Sequence, residues 1–235
     1  MQAEQIGVAL PDWKAPPRPP RDPIAGRFCR LEPLDPARHA EALYAALNLD
    51  TKGRLWTYLP YGPFETLESY ASWLKASSQS EDPFFYAIIA QTTGQAVGVA
   101  SYLRIAPASG SIEVGHITYS PLLQRTPAAT EAMYLMMNRA FELGYRRYEW
   151  KCDSLNTKSR VAAQRLGFSF EGVFRQATVY KGRNRDTAWY AVIDREWPAL
   201  NQAFVRWLDP ANFDPHGIQR MRLTDITSPL LAQRG

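Results

Sequence analysis

The stretch from Ile112 to Cys152 constrains the fold more than any other. IEVGHITYS alternates like a half-buried strand, PLLQRTP interrupts it, and AATEAMYLMMNRAFELG places apolar residues at helical spacing. Gly144 stands where a helix takes its left-handed C′ residue, and YRRYEWKC, Tyr145 to Cys152, reads as a strand again. Strand, helix, strand in immediate succession reads as one β-α-β crossover.

The flanking segments read as mostly antiparallel. RFCRLEPL, Arg27 to Leu34, alternates as a strand, and Asp35-Pro36 is an N-cap followed by a first-turn proline. Thr66 opens a second helix. PFFYAIIA, AVGVASYLRIA and IEVGHITYS form a three-strand meander, with Gly94 in the first connection. After the crossover come a helix from about Thr157 to Leu166, a closing hairpin turning at GRNR, and a helix over Pro198 to Leu208. The order is β-α-α-β-β-β-α-β-α-β-β-α: a mixed α/β (α+β) domain with a mostly antiparallel sheet. Residues 1–26 form a proline-rich extension, which the prolines keep from being helical. A tail, a strap over the domain and a ligand for an SH3-like module are all open to it. Residues 27–197 form the domain, and 198–235 a C-terminal helix and an irregular tail.

A chain of 235 residues, 46% hydrophobic, can bury its own core as one domain with extensions. The net charge of +4 and pI near 9.1 suit a partner bearing phosphates or carboxylates. The densest basic cluster, Lys181 to Arg185, is too short to imply nucleic acid, and reads as a solvated turn or a small binding patch. Two cysteines, Cys29 and Cys152, and three histidines in no ligand spacing argue against a metal site. No signal pattern and no membrane-length apolar run is visible, so the expectation is a cytoplasmic protein with no membrane partner, monomeric or homodimeric.

QRTPAATEA, Gln124 to Ala132, occupies the turn between the crossover strand and its helix. Free N–H groups and the helix dipole make such a turn an anion site. The same string is also an ordinary helix start, with Thr126 as N-cap and Pro127 in the first turn.

Three motifs resemble the GCN5-related N-acetyltransferase (GNAT) family, and within it the RimJ/RimL-like group. Gln124, Ala129 and Thr130-Glu131-Ala132 match the family's (Gln/Arg)-x-x-Gly-x-(Gly/Ala) turn, although Pro127 stands where glycine is usual. Asn156, Ser159, Ala163, Leu166, Gly167, Phe168, Glu171 and Gly172 match a second pattern at eight positions in seventeen. KGRNRDTAWYAV resembles the group's closing hairpin. The resemblance runs from about Arg27 to about Trp197. It implies a GNAT-type twisted sheet flanked by helices around a β-α-β acetyl-CoA unit, with acetyl-CoA as co-substrate, no metal, and a primary amine acceptor on a small molecule or a protein N-terminus. Coenzyme contacts would come from Ile117, Thr118 and Tyr119 of the strand, from Gln124, Arg125, Thr126, Ala128, Ala129 and Thr130 of the turn, and from Asn156 and Ser159.

For chemistry, the resemblance offers Glu113 as general base, eleven residues ahead of Gln124, with His116 as runner-up and Ser159 as proton donor to the departing sulfur. Strict alternation puts Glu113 and His116 on opposite faces, so both can line one cleft only across a bulge, which Gly115 could mark. The glutamate that RimL-like enzymes carry in the strand after Glu-Gly is replaced by Thr178. Trp56, Tyr58, Tyr61 and Phe64 lie where the fold builds its acceptor pocket, with two of the four read as core. Arg175 and Asp186 face them as the other wall. The alternative is a non-catalytic acyl-CoA sensor or scaffold, motivated by Pro127 and Thr178.

Overall fold

The computed structural model describes residues 6–235. The first five residues of the proline-rich extension lie outside the described residues. An eight-stranded sheet runs β1-β2-β3-β4-β5-β6-β8-β7. Its strands are β1 (Ile24–Ala25), β2 (Cys29–Pro33), β3 (Phe84–Ala90), β4 (Ala96–Ala106), β5 (Ser111–Tyr119), β6 (Arg147–Asp153), β7 (Ser169–Tyr180) and β8 (Arg183–Ile193). Among the described residues only β5 and β6 pair in parallel, and helix α3 (Pro127–Glu142) crosses between them. This is the crossover legible in the sequence.

The first three long helices each begin where their capping chemistry starts. The Asp35 carboxylate accepts from Ala37 N at 2.9 Å ahead of α1 (Pro36–Leu47). Thr66 and Ser69 form a reciprocal capping box ahead of α2 (Leu67–Ser78). Thr126 Oγ1 accepts from Ala129 N at 3.2 Å ahead of α3, with Pro127 in the first turn. At the other end Gly144 has φ +95° and closes α3.

Two cores cover the two faces. Helices α1 and α2 lie on the face that carries Phe85, Ala87 and Val99. Against the other face pack α3, α4 (Thr157–Arg165), α5 (Trp197–Leu208) and α6 (Leu223–Thr227), around Met136, Tyr148 and Phe204. Both cysteines are buried and unpaired.

Two details differ from the sequence expectation, and a third selects the strap among the alternatives open to the N-terminal extension. The last hairpin turns at Lys181-Gly182, both at positive φ, not at Gly182 to Arg185, because a two-residue turn of this hand matches the strand twist. The segment beyond Asp209 is built into the core: α6 buries Leu223 completely, and Phe170 N donates to Gln233 O at 3.0 Å. The N-terminal extension lies as a strap. Arg21 donates to the carbonyls of Ser78 and Ser80, Asp22 pairs with Arg139 at 2.9 Å, and Pro16 and Pro19 are buried.

One buried carboxylate ties the sheet edge to the crossover helix. Glu131 of α3 accepts from three consecutive backbone amides, Arg27, Phe28 and Cys29, at 2.6–2.8 Å. A Cβ at Gly26 would sit 2.5 Å from this carboxylate, so the tight β1–β2 connection needs glycine there.

Candidate active site

The site is made by a strand that stops pairing. The β5–β6 ladder runs from Ser111↔Arg147 to Val114↔Trp150 and ends, while β5 continues to Tyr119 and β6 to Asp153. From Gly115 onward the β6-facing backbone edge of β5 is therefore open. The β4 side shows the cause. Gly115 opposes Ser101 and Thr118 opposes Val99, so His116 and Ile117 together face Ala100. That is a β-bulge, and His116 takes φ +51° to make it. Gly115 lies immediately before the bulge, where a Cβ would stand 2.9 Å from Leu103.

The bulge turns Glu113 and His116 to the same face. Gly115 and Ser101 are in register with Phe85, and Glu113 Oε1 lies beside the Gly115 Cβ direction. The His116 ring lies 5.2 Å from the Phe85 ring. Without the extra residue, alternation would have sent His116 into the opposite core.

The two candidate bases have different surroundings. Glu113 is 3% exposed, and both its oxygens are held: Arg104 Nη1 donates to them at 2.8 Å and Lys151 Nζ lies at 2.9 Å. Lys151 continues to Glu149 at 2.6 Å and covers the Trp189 ring at 3.8 Å. Burial raises the Glu113 carboxyl above its usual range against the pull of these two cations. His116 meets no acid. Its Nδ1 lies 3.0 Å from Tyr61 Oη, and burial, then Arg104 and Arg185, push it down to about 4. It is a neutral imidazole at physiological pH.

The aromatic loop divides as its burial dictates. Trp56 is 6% exposed and packs with Phe64 in the α1–α2 core. Tyr61 stacks on His116, and half-buried Tyr58 reaches across to donate to Leu155 O at 3.2 Å. Tyr61 and Tyr58 therefore bridge from the loop to β5 and to the entrance of α4.

The turn before α3 is held from both sides. Gln124 Nε2 donates to Tyr119 O at 2.7 Å, which locks the turn to the end of β5. Tyr119 Oη donates to Ala129 O at 3.1 Å, and Thr118 is buried. The turn itself occupies the N–H groups of Thr126, bonded to Leu123 O, and Ala129, bonded to the Thr126 cap. Those of Arg125 and Ala128 have no partner among the described residues. Arg125 has φ +62°, which reverses the chain here without glycine. The Thr130 hydroxyl accepts from Arg165 at 3.0 Å.

Across the cleft, Asn156 caps α4 by accepting from Ser159 N at 3.2 Å. Ser159 Oγ accepts the indole N–H of Trp150 at 2.9 Å, which leaves the hydroxyl proton to be given elsewhere. Cys152 is buried beside it, and burial raises its thiol.

The far wall is not the pair read from sequence. Arg175 is exposed, and the Asp186 carboxylate is committed within the hairpin, to Gln176 N at 2.7 Å and Asn184 Nδ2 at 3.0 Å. The residues that reach the site are Tyr180, Lys181 and Arg185. Tyr180 donates to Asp153 at 2.9 Å, and Lys181 donates to the Trp56 carbonyl at 2.8 Å. The β7 bulges between Phe170 and Gly172 and between Phe174 and Thr178 bend this hairpin. Such irregularities leave little trace in an apolar pattern, so only the basic cluster signalled these residues.

Among the described residues no helix is long and apolar enough to cross a membrane, and no group of three or more His, Cys, Asp or Glu could hold a metal ion. No curated protein matches the chain. Among solved structures it is similar to a GCN5-related N-acetyltransferase from Brucella melitensis, at 47% identity over 93% of this chain and 99% of that one, with a TM-score of 0.91. It is similar to a probable GNAT-family acetyltransferase from Chromobacterium violaceum at 42% identity, over 85% of this chain and 100% of that one, with a TM-score of 0.78. Its likeness to RimL, the ribosomal L7/L12 α-N-protein acetyltransferase, is one of fold: 24% identity over 72% and 91% of the two chains, TM-score 0.62. The model of the GNAT acetyltransferase domain matches residues 29–169. A bulged, splayed strand feeding a capped helix, together with these matches, places the chain in the GNAT acetyltransferase family.

Proposed function

We propose that this protein moves an acetyl group from acetyl-CoA to a primary amine by direct transfer within a ternary complex. The observation that carries this reading is the end of β5–β6 pairing at Val114. It opens a backbone edge beside a helix start that has unpaired N–H groups. Acetyl-CoA, when bound, supplies the acetyl group as a thioester. The N–H groups of Arg125 and Ala128, in the field of the α3 N-terminus, suit its pyrophosphate. The open edge of Ile117, Thr118 and Tyr119 suits the amide groups of its pantetheine arm.

The chain's own residues divide the proton work. Neutral His116, oriented by Tyr61, accepts the proton that the amine gives up as its nitrogen bonds to the thioester carbon. As the carbon–sulfur bond breaks, Ser159 gives its hydroxyl proton to the sulfur and takes one back from water, while the proton on His116 passes to solvent, so one proton leaves the amine and one reaches the thiol. Glu113, held by two cations, fixes the floor beneath them. No covalent enzyme intermediate is required, and Cys152 serves as packing.

Pro127 and Thr178 favour the second reading, an acyl-CoA-binding sensor. Titration calorimetry with acetyl-CoA tests binding, and thiol release over a panel of primary amines tests transfer. Binding with release supports the enzyme. Binding without release on any amine supports the sensor. Absence of binding at millimolar acetyl-CoA overturns both.

A further inference from the structure

The acceptor face holds one guanidinium that no acid neutralises. Arg185, Thr187 and Trp189 alternate along β8 on one side of the sheet. Thr187 stands opposite Asp153, and Trp189 lies under Lys151, which pairs with Glu113. This row therefore shares the face of Glu113 and His116. Arg185 Nε donates to Thr187 Oγ1 at 3.2 Å, and the half-buried guanidinium lies 5.9 Å from the Tyr180 ring centroid. Among the described residues its terminal nitrogens have no hydrogen-bond acceptor, and no carboxylate lies within salt-bridge distance of it.

The acids around it are already committed. Asp153 accepts from Tyr180 Oη and from Leu155 N, both at 2.9 Å. Glu113 belongs to Arg104 and Lys151. The wall is also rigid, because Tyr180 is pinned to β6 and Lys181 to the Trp56 loop. A guanidinium held this way, half out of water and with its terminal nitrogens free of acceptors among the described residues, offers a preformed two-pronged donor for an incoming oxyanion.

We propose that Arg185 binds an anionic group, carboxylate or phosphate, that the acceptor carries close to its amine. The acceptor is then an amino-acid-like or aminophosphate-like small molecule rather than a simple alkylamine. The inference rests on the acetyl-transfer reading and narrows its substrate class. It also joins binding to chemistry. Burial, then Arg104 and Arg185, suppress protonation of His116, and an anion docked on Arg185 offsets the last of these when the amine is in place.

The test compares matched acceptors: an α-amino acid with its carboxamide, and phosphoethanolamine with ethanolamine. The readout is the ratio of kcat/KM within each pair, for the wild type, Arg185→Gln and Arg185→Lys. The expected wild-type ratio is about tenfold or more in favour of the anion, the scale of one charge-assisted contact. It collapses towards one in R185Q and recovers in part in R185K. The pair that shows the effect tells carboxylate from phosphate. A wild-type ratio near one, or a ratio that R185Q leaves intact, overturns the inference while acetyl transfer stands. If no acceptor in the panel turns over, calorimetry on the acetyl-CoA-saturated protein compares the acid and neutral members of each pair. Equal or undetectable binding of the two overturns the inference. Preferential binding of the acid, lost in R185Q, upholds it. Failure of the acetyl-transfer reading shows separately, as absence of acetyl-CoA binding or as binding with no thiol release on any amine.

Discussion

The Tyr61 hydroxyl lies 3.0 Å from His116 Nδ1, and the two rings stack at a centroid distance of 5.6 Å with 12° between their planes. A loop between two helices thus fixes an imidazole on a bulged strand. If His116 carries the amine proton, His116→Asn lowers kcat by roughly 10²-fold, on the usual scale of a general base. Tyr61→Phe keeps the stack and loses the bond, so its effect is smaller, about tenfold. Steady-state kinetics on any accepted amine reads both. A full-rate H116N enzyme removes His116 from the chemistry.

In the proposed mechanism Glu113 serves as a structural ion. Glu113→Gln leaves Lys151, 7% exposed, with Glu149 alone, and is expected to cost about 2 kcal/mol of stability. Arg104 is 61% exposed and water replaces its partner, which keeps the cost moderate. Urea unfolding measures the loss, and kcat changes only a few-fold. A drop in kcat of about 10²-fold with unchanged stability returns the base to Glu113.

Stability depends on pH through His116. Its ordinary value of 6.5 is lowered to about 4 in the fold. Between those values the unfolded chain binds a proton that the native state refuses. Stability is therefore full above pH 6.5 and falls as the pH drops to 4, by up to about 3 kcal/mol, with no further loss from this group below that. His39, also buried and lowered, adds a loss of the same sign. Melting temperature against pH shows the slope, and H116N flattens it. An equal slope in the variant rejects the assignment.

Pro127 removes one N–H from the turn before α3. Pro127→Ala restores that donor without adding the flexibility of glycine. Acetyl-CoA affinity, read by calorimetry, is expected to rise about threefold to tenfold, the worth of one net hydrogen bond. No change in Kd places the pyrophosphate away from this residue.

Among the described residues Glu131 is the one side-chain acceptor for the amides of Arg27, Phe28 and Cys29. Glu131→Ala leaves buried donors unpaired, at an expected cost of about 3 kcal/mol. The urea midpoint reports it. Exchange protection at those three amides falls with it, and unchanged protection counts against the link.

The crossover, the meander and the helix starts were legible because each has a local signal: alternation, helical spacing, or a cap. Thr126-Pro127 is a good helix start, and the same string, Gln124 to Ala132, carries the proposed coenzyme turn. The match of Asn156 and Ser159 was legible as spacing. What they do beyond capping α4 and bonding Trp150 stays with the proposed mechanism. Other features were not visible because they depend on partners distant in sequence. Nothing near Glu113 announces that Arg104 and Lys151 close on it from neighbouring strands. Nothing near Glu131 announces that it meets a loop about a hundred positions earlier. Arg185 lay inside a basic cluster that reads equally as solvent-facing. Its inward direction comes from the strand alternation of β8, and only the sheet register reveals that.

The extra residue at His116 makes residue count, more than residue type, the variable that β5 must preserve. A substitution at His116 changes one side chain. A deletion there would restore unbroken alternation, with Ile117 alone facing Ala100 and Thr118 still opposite Val99, and would let β5 zip further along β6. The open edge proposed for the coenzyme and the direction of the imidazole would vanish together. Variation by insertion or deletion is therefore closed to this strand, and new acceptor chemistry has to come from the loop of Tyr61 and the hairpin of Arg185, which border the cleft without setting its opening.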